Sequence, residues 1–198
     1  MSKTRVGFAL TGSFCTFRRV FDVMRDMAAS GYELYPVLSY AVGREDTRFF
    51  TRRQVLDNLK AITGHDPIAT LPEAEPIGPK KMFDAYVIAP MTGASMAKFA
   101  HGIFDTPVLL GAKSHLRNNR PVLIAPSTND GLSTAAENIG KILGMRSVYM
   151  VPFGQDDPIA KPRSLVADFA LIPQALAAAL AGEQTQPILL GDLKKDKE

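Results

Sequence analysis

The chain has 198 residues, 46% of them hydrophobic, which suits one α/β domain with a sizeable core. Its formal net charge is +3, with lysines and arginines scattered among acidic residues. That scatter argues against a nucleic-acid-binding stripe and fits small anionic ligands. A single cysteine excludes an internal disulfide framework and points to a reducing compartment.

The first segment, "MSKTRVGFALTGSF", does not read as a secretory signal, because Gly7 and Gly12 break its apolar run and Arg18 and Arg19 follow. Elsewhere no apolar run approaches the roughly 20 residues of a spanning helix. A soluble, cytoplasmic protein is expected. "RVGFAL", 5–10, reads as a buried first strand. Residues 14–28 form a helix with Phe14, Phe17, Val20, Phe21, Met24 and Met27 on one face, closed by Gly31. A second strand is expected over 32–42, at an edge or bulge because of Pro36. A second helix runs from 51 to Gly64, and the proline-rich 65–83 is a long connection.

The alternation then resumes. Strands are expected at 84–90, 106–112, 120–126 and 147–153, with helices at 95–103 and 132–144 and a helical turn at 113–119. Residues 164–182 are helical in composition, with Pro173 opening a second helix. The domain spans 1–191, and the charged tail 192–198 is expected to be disordered. The rhythm predicts an α/β fold: a three-layer, doubly wound parallel sheet with helices on both faces.

In such a sheet, ligands sit outside the carboxyl ends of the strands. Three small or polar turns fall there: "TGSF" from Thr11, "MTGAS" from Met91 and "STND" from Ser127. Each leads into a helix N-terminus, whose unpaired N–H groups and dipole favour an anion. Gly12 permits close backbone approach; Ser13, Thr92 and Ser95 add hydroxyls. The same residue types are ordinary caps and turns when taken singly. Lys98 either faces the anion or bridges to a surface carboxylate. Asn129 either caps the next helix or bonds a ligand.

Other segments offer weaker candidates. The "PFGQDDP" loop offers Asp156 as a substrate or subunit contact, although Asp before Pro is common turn chemistry. Cys15, in the first helical turn, reads as a buried small hydrophobe ahead of the alternative, a thiol whose pKa the helix dipole lowers. "KSHLRNNR" is either an attractor for a dicarboxylate or a solvated helix face. His65, His101 and His115 lack ligand spacing, so no metal site is expected. Neither G-x-G-x-x-G nor a P-loop is present.

The segment "APMTGASMAKFAHGIFDTPV" resembles the phosphate-binding stretch of the flavoprotein family of phosphopantothenoylcysteine decarboxylase, lantibiotic cysteine decarboxylases and flavin prenyltransferases. Thr92, Gly93, Ala94 and Ser95 stand where that family has Ser-Ala-Asn-Thr, and Lys98, Ala100, Gly102 and Asp105 match outright. "TGS" fits the family's first flavin loop, and "PSTN", 126–129, resembles its Pro-x-Met-Asn. The resemblance implies a flavodoxin-like, Rossmann-like fold. It implies an FMN site built from Thr11, Gly12, Ser13, Pro90, Thr92, Gly93, Ser95 and Lys98, with Asn129 and Asp156 towards substrate. Ala94 replaces an amide and Thr128 a methionine, which points away from cysteine-peptide decarboxylation.

"GFALTGSFCTF", "AEPIGPK", "NNRPVLIAPSTND", "VPFGQDDP" and "QPILL" resemble one branch of the family whose members act as one of two subunits. This implies oxidation of a dihydrodipicolinate-type precursor, or its hydroxylated form, to dipicolinate in the mother cell of a sporulating bacterium. It also implies a dehydrogenase-like partner that alone carries NADP, and a homo-oligomer, a trimer or an assembly of trimers. No residue stands out as the catalytic base. Two alternatives remain open: a stand-alone flavin decarboxylase or prenyltransferase, and a non-catalytic scaffold that kept an anion pocket.

Overall fold

The structure, a computed structural model, describes residues 3–191; the tail expected over 192–198 lies outside the described residues. The chain order is β1 (Arg5–Leu10), a 3-10 turn, α1 (Phe17–Ala29), β2 (Glu33–Leu38), α2 (Tyr40–Arg44), α3 (Arg52–Thr63) and α4 (Leu71–Ala74). Then come β3 (Ala85–Met91), α5 (Gly93–Ala100), α6 (Pro107–Leu116), β4 (Val122–Thr128), α7 (Ala136–Leu143), β5 (Val148–Met150), β6 (Phe153–Asp157), β7 (Lys161–Ala167) and α8 (Ile172–Leu180).

Strands β2, β1, β3, β4 and β5 pair in that spatial order, all parallel. This is the 2-1-3-4-5 order of flavodoxin-like sheets, whose switch point lies between β1 and β3. Every residue of β3 is buried. Successive side chains point to opposite faces, so both faces are covered. Helix α1 packs on α3 and α8, α5 on α7, and α6 on α4.

Local chemistry explains several boundaries. Thr51 and Gln54 form a reciprocal capping box at the start of α3, and Gly64 ends it at φ 73. Pro36 lies in β2, which pairs with β1 as an edge strand of the sheet.

Four expectations are corrected. The second strand ends at Leu38, and residues 40–44 turn into α2. "TPVLLGA" is the start of α6, not a strand: Thr106 accepts the Leu109 N–H, Pro107 opens the helix, and Gly111 lies against Tyr86. A short apolar run reads the same in a buried helix and a buried strand. The helix expected from 132 begins at Ala136.

The largest correction concerns residues 153–167, expected as a strand end, a loop and the start of a helix. They form an antiparallel hairpin, β6–β7, so the seven-stranded sheet is mixed and not wholly parallel. The hairpin is captured by pairing. The first half of β4 pairs with β5, and its last residues pair with β7 through Ser127–Val166 and Thr128–Leu165. On β6, Phe153 exchanges backbone bonds with Ile188 and Leu190. The hairpin therefore stands at the carboxyl end of the sheet, where β4 delivers its turn.

Candidate functional site

The three turns meet. A cavity of about 890 Å³ opens at the carboxyl ends of β1, β3 and β4, within the size range of small-molecule and cofactor sites. Gly12, Ser13, Thr92, Gly93 and Asn129 line it. Thr11 does not line it but ties two of the turns together. Its hydroxyl donates to the Pro90 carbonyl at 2.8 Å and accepts the Thr92 N–H at 2.9 Å. Pro90 is buried in β3 with its carbonyl engaged by Thr11, so its part is to anchor the turn. The Ser13 and Ser127 hydroxyls bond at 2.7 Å and join the first turn to the third.

Thr92 caps α5 by accepting the Ser95 N–H, and it donates its proton to the Ser95 hydroxyl at 3.0 Å. The N–H groups of Gly93 and Ala94, at the first two helical positions, have no intrahelical acceptor. Gly93 is glycine for a reason visible here. A Cβ on it would stand 2.5 Å from Thr128 Oγ1 and 2.8 Å from Asp130 Oδ1. Asp130 thus sits against the N-terminus of α5. The hydroxyls of Thr128 and Thr134 both donate to its carboxylate and hold its pKa below the ordinary value.

Ser95 lies one residue behind the cavity lining, and Lys98 is directed elsewhere. The Lys98 ammonium pairs with Asp105 at 2.7 Å on the far part of α5. Of the two roles open to Lys98, the structure shows the bridge to a carboxylate. Asn129 lies seven residues before α7 and does not cap it. A run of turns intervenes, organised by Asp130, whose carbonyl accepts from Ser133 and Ala135.

The rest of the lining comes from elements whose role the sequence did not reveal. Arg19 enters from the first turn of α1, and Thr47, Arg48 and Phe49 from the connection between α2 and α3. The hairpin adds Asp156, Lys161, Ser164, Leu165 and Val166. Asp156 is in a strand, not a loop, and pairs with Lys161 across the hairpin at 2.6 Å, which raises the Lys161 pKa. Arg19 was discernible as a cation one turn after the "TGSF" turn. Lys161 was hidden because its segment was not recognised as a strand.

Two further expectations change. Cys15 is exposed and lines the cavity, its sulfur 3.9 Å from Ser13 Oγ, rather than being buried. "KSHLRNNR" lies away from the cavity, and it is not a uniformly solvated face. His115 is 1% exposed, while Arg120 bonds the Phe83 carbonyl and pairs with Asp84.

Comparison with known proteins agrees with this architecture. The model of the family described as Flavoprotein matches residues 1–165. The B subunit of dipicolinate synthase from Bacillus subtilis (strain 168) is 42% identical over 186 residues, 94% of this chain and 93% of that protein. The crystal structure of the dipicolinate synthase B subunit from Bacillus halodurans superposes with a TM-score of 0.88 at 42% identity, covering 96% of this chain and 97% of that one. The FMN-dependent cysteine decarboxylase SpaF shares the fold at a TM-score of 0.60 and 19% identity, covering 91% of this chain and 96% of that one. With its flavodoxin-like sheet, its cavity at the switch point and these relatives, the chain belongs to the flavoprotein family, alongside the B subunit of dipicolinate synthase.

Proposed function

We propose that this chain is the FMN-binding member of a two-subunit dipicolinate synthase. It acts with the dipicolinate synthase A subunit to oxidise dihydrodipicolinate, or its hydroxylated precursor, to dipicolinate in the mother cell during sporulation. The reading is supported by the 42% identity to the B subunit of Bacillus subtilis over nearly the whole chain. The observation that carries it is the convergence of Ser13, the α5 N-terminus and Asn129 on one cavity at the β1/β3 switch point.

The residues present suit a flavin mononucleotide. Ser13 supplies a hydroxyl, Gly93 and Ala94 supply free N–H groups at a helix N-terminus, and Gly12 keeps the backbone accessible. Bound there, FMN would supply a two-electron acceptor. The chain's own residues orient and enclose the substrate. Asn129 offers an amide at the cavity edge, the Asp156–Lys161 pair fixes the hairpin, and Leu165 and Val166 exclude water. Without a dinucleotide-binding turn, the chain leaves NADP to the A subunit. We further propose that it works as a homo-oligomer, a trimer or an assembly of trimers.

Fluorescence titration of FMN into the purified chain tests the cofactor. Saturable one-to-one quenching, weakened in Ser13→Ala, is expected; no binding by the intact chain would count against it. One observation favours a second reading, a scaffold without flavin: the Asp130 carboxylate at the α5 N-terminus repels a phosphate. A complex with the A subunit that is fully active without FMN would select that reading.

A further inference from the structure

Two of the cations around the cavity are not matched by anions. Lys161 is neutralised by Asp156 at 2.6 Å. Among the described residues, Arg19 and Arg48 make no ion pair and no side-chain hydrogen bond. Each guanidinium instead rests on a ring, Arg19 over Phe169 at 5.3 Å and Arg48 over Phe49 at 4.8 Å. Both line the same cavity, on different elements, α1 and the connection before α3. Several arginines elsewhere are engaged. Arg25 pairs with Asp22, Arg53 with Asp57 and Arg120 with Asp84, and Arg52 bonds the Gly43 carbonyl.

An arginine presents a planar fork of donors that suits a carboxylate. Stacking on an aromatic ring restrains the guanidinium and leaves its edge free to donate. In the function proposed above, Ser13 and the α5 N-terminus take the phosphate, which leaves these two forks for the second ligand.

We propose that Arg19 and Arg48 are the specificity-determining pair of the cavity, each taking one carboxylate of a small, rigid dicarboxylate. This rests on the function proposed above and names the residues that recognise its substrate. The pair selects two charges held apart on one ring over a single charge, because a monocarboxylate leaves one arginine unmatched.

The test is calorimetric binding of dipicolinate and of picolinate, its monocarboxylate analogue, to the FMN-saturated full chain. Intact protein should bind dipicolinate about tenfold or more tightly than picolinate. Arg19→Met and Arg48→Met should each weaken dipicolinate by about the same factor and shrink its advantage over picolinate. Arg→Lys at either position should recover part of the loss, and FMN affinity should stay within about twofold throughout. Unchanged dipicolinate affinity in both Met variants overturns the inference. So does a parallel fall in FMN affinity, which would assign the arginines to the phosphate. If the complex with the A subunit makes dipicolinate while both Met variants bind it normally, the pair is wrong and the function stands. Arginine-dependent binding of isophthalate, a rigid ring dicarboxylate, without any binding of dipicolinate keeps the pair and removes the function.

Discussion

Ser13 and Ser127, 114 positions apart, share a hydrogen bond of 2.7 Å between their hydroxyls. One belongs to the turn after β1 and the other to the end of β4, so the bond closes the floor of the cavity between the first and third turns. A hydroxyl has one proton and two lone pairs, so Ser13 can keep this bond and still face a phosphate. Ser13→Ala should weaken FMN about tenfold or more, the worth of a hydrogen bond to a charged group, about 1.5–3 kcal/mol. Equilibrium titration against the intact chain measures this, and melting curves check that the fold persists.

Lys98 provides the contrast. Its ammonium is held by Asp105 at 2.7 Å, and both side chains are about half exposed. Lys98→Met should change FMN affinity by less than about twofold and stability by less than about 1 kcal/mol, as for other surface ion pairs. A tenfold loss of FMN in the same titration would mean that Lys98 swings into the site.

Gly93 is tested through space. A methyl there would meet Thr128 Oγ1 and Asp130 Oδ1, whose own bond organises the third turn. Gly93→Ala should cost about 1–3 kcal/mol by overpacking and displace the third turn from α5. Denaturant unfolding reads the first effect. Gly93→Ala combined with Thr128→Ala/Asp130→Ala, which removes both oxygens nearest the added methyl, should recover part of the loss.

The pH dependence of stability should carry the mark of His115. Burial, then the charge of Arg120, pushes its pKa down to about 4. The ordinary value is about 6.5, so between these limits the unfolded chain binds a proton that the folded chain refuses. Above about pH 6.5 both states are neutral at this site. The contribution of this site to stability should therefore fall as the pH drops from about 6.5 to about 4, by on the order of 3 kcal/mol, and stay constant below. His115→Leu should flatten that part of the curve in urea unfolding at stepped pH.

Much of this arrangement was legible in the sequence, and the reasons are physical. The strand–turn–helix rhythm placed "TGSF", "MTGAS" and "STND" at one sheet edge, because parallel strands with crossover helices put all such turns at the carboxyl end. Gly31 and Gly64 declared themselves as helix ends, whereas α5 begins at Gly93, two residues before the expected start, with Thr92 as its cap. The hairpin at 153–167 was not legible. Its pairing partners, Ser127, Thr128, Ile188 and Leu190, lie far along the chain, so local composition carried no trace of them. With the hairpin hidden, Lys161 and the wall formed by Leu165 and Val166 were hidden too. Arg48 and Phe49 fell in a connection without periodicity, where only three-dimensional proximity gives them a role.

The most direct test of the central claim is the rate of dipicolinate formation from dihydrodipicolinate by this chain and the purified A subunit, separately and together, with FMN present. The account predicts that neither protein alone supports turnover, that the mixture does, and that Ser13→Ala in this chain slows it by about the factor by which flavin occupancy falls. Full turnover by the isolated A subunit, unaffected by addition of this chain, would contradict the account.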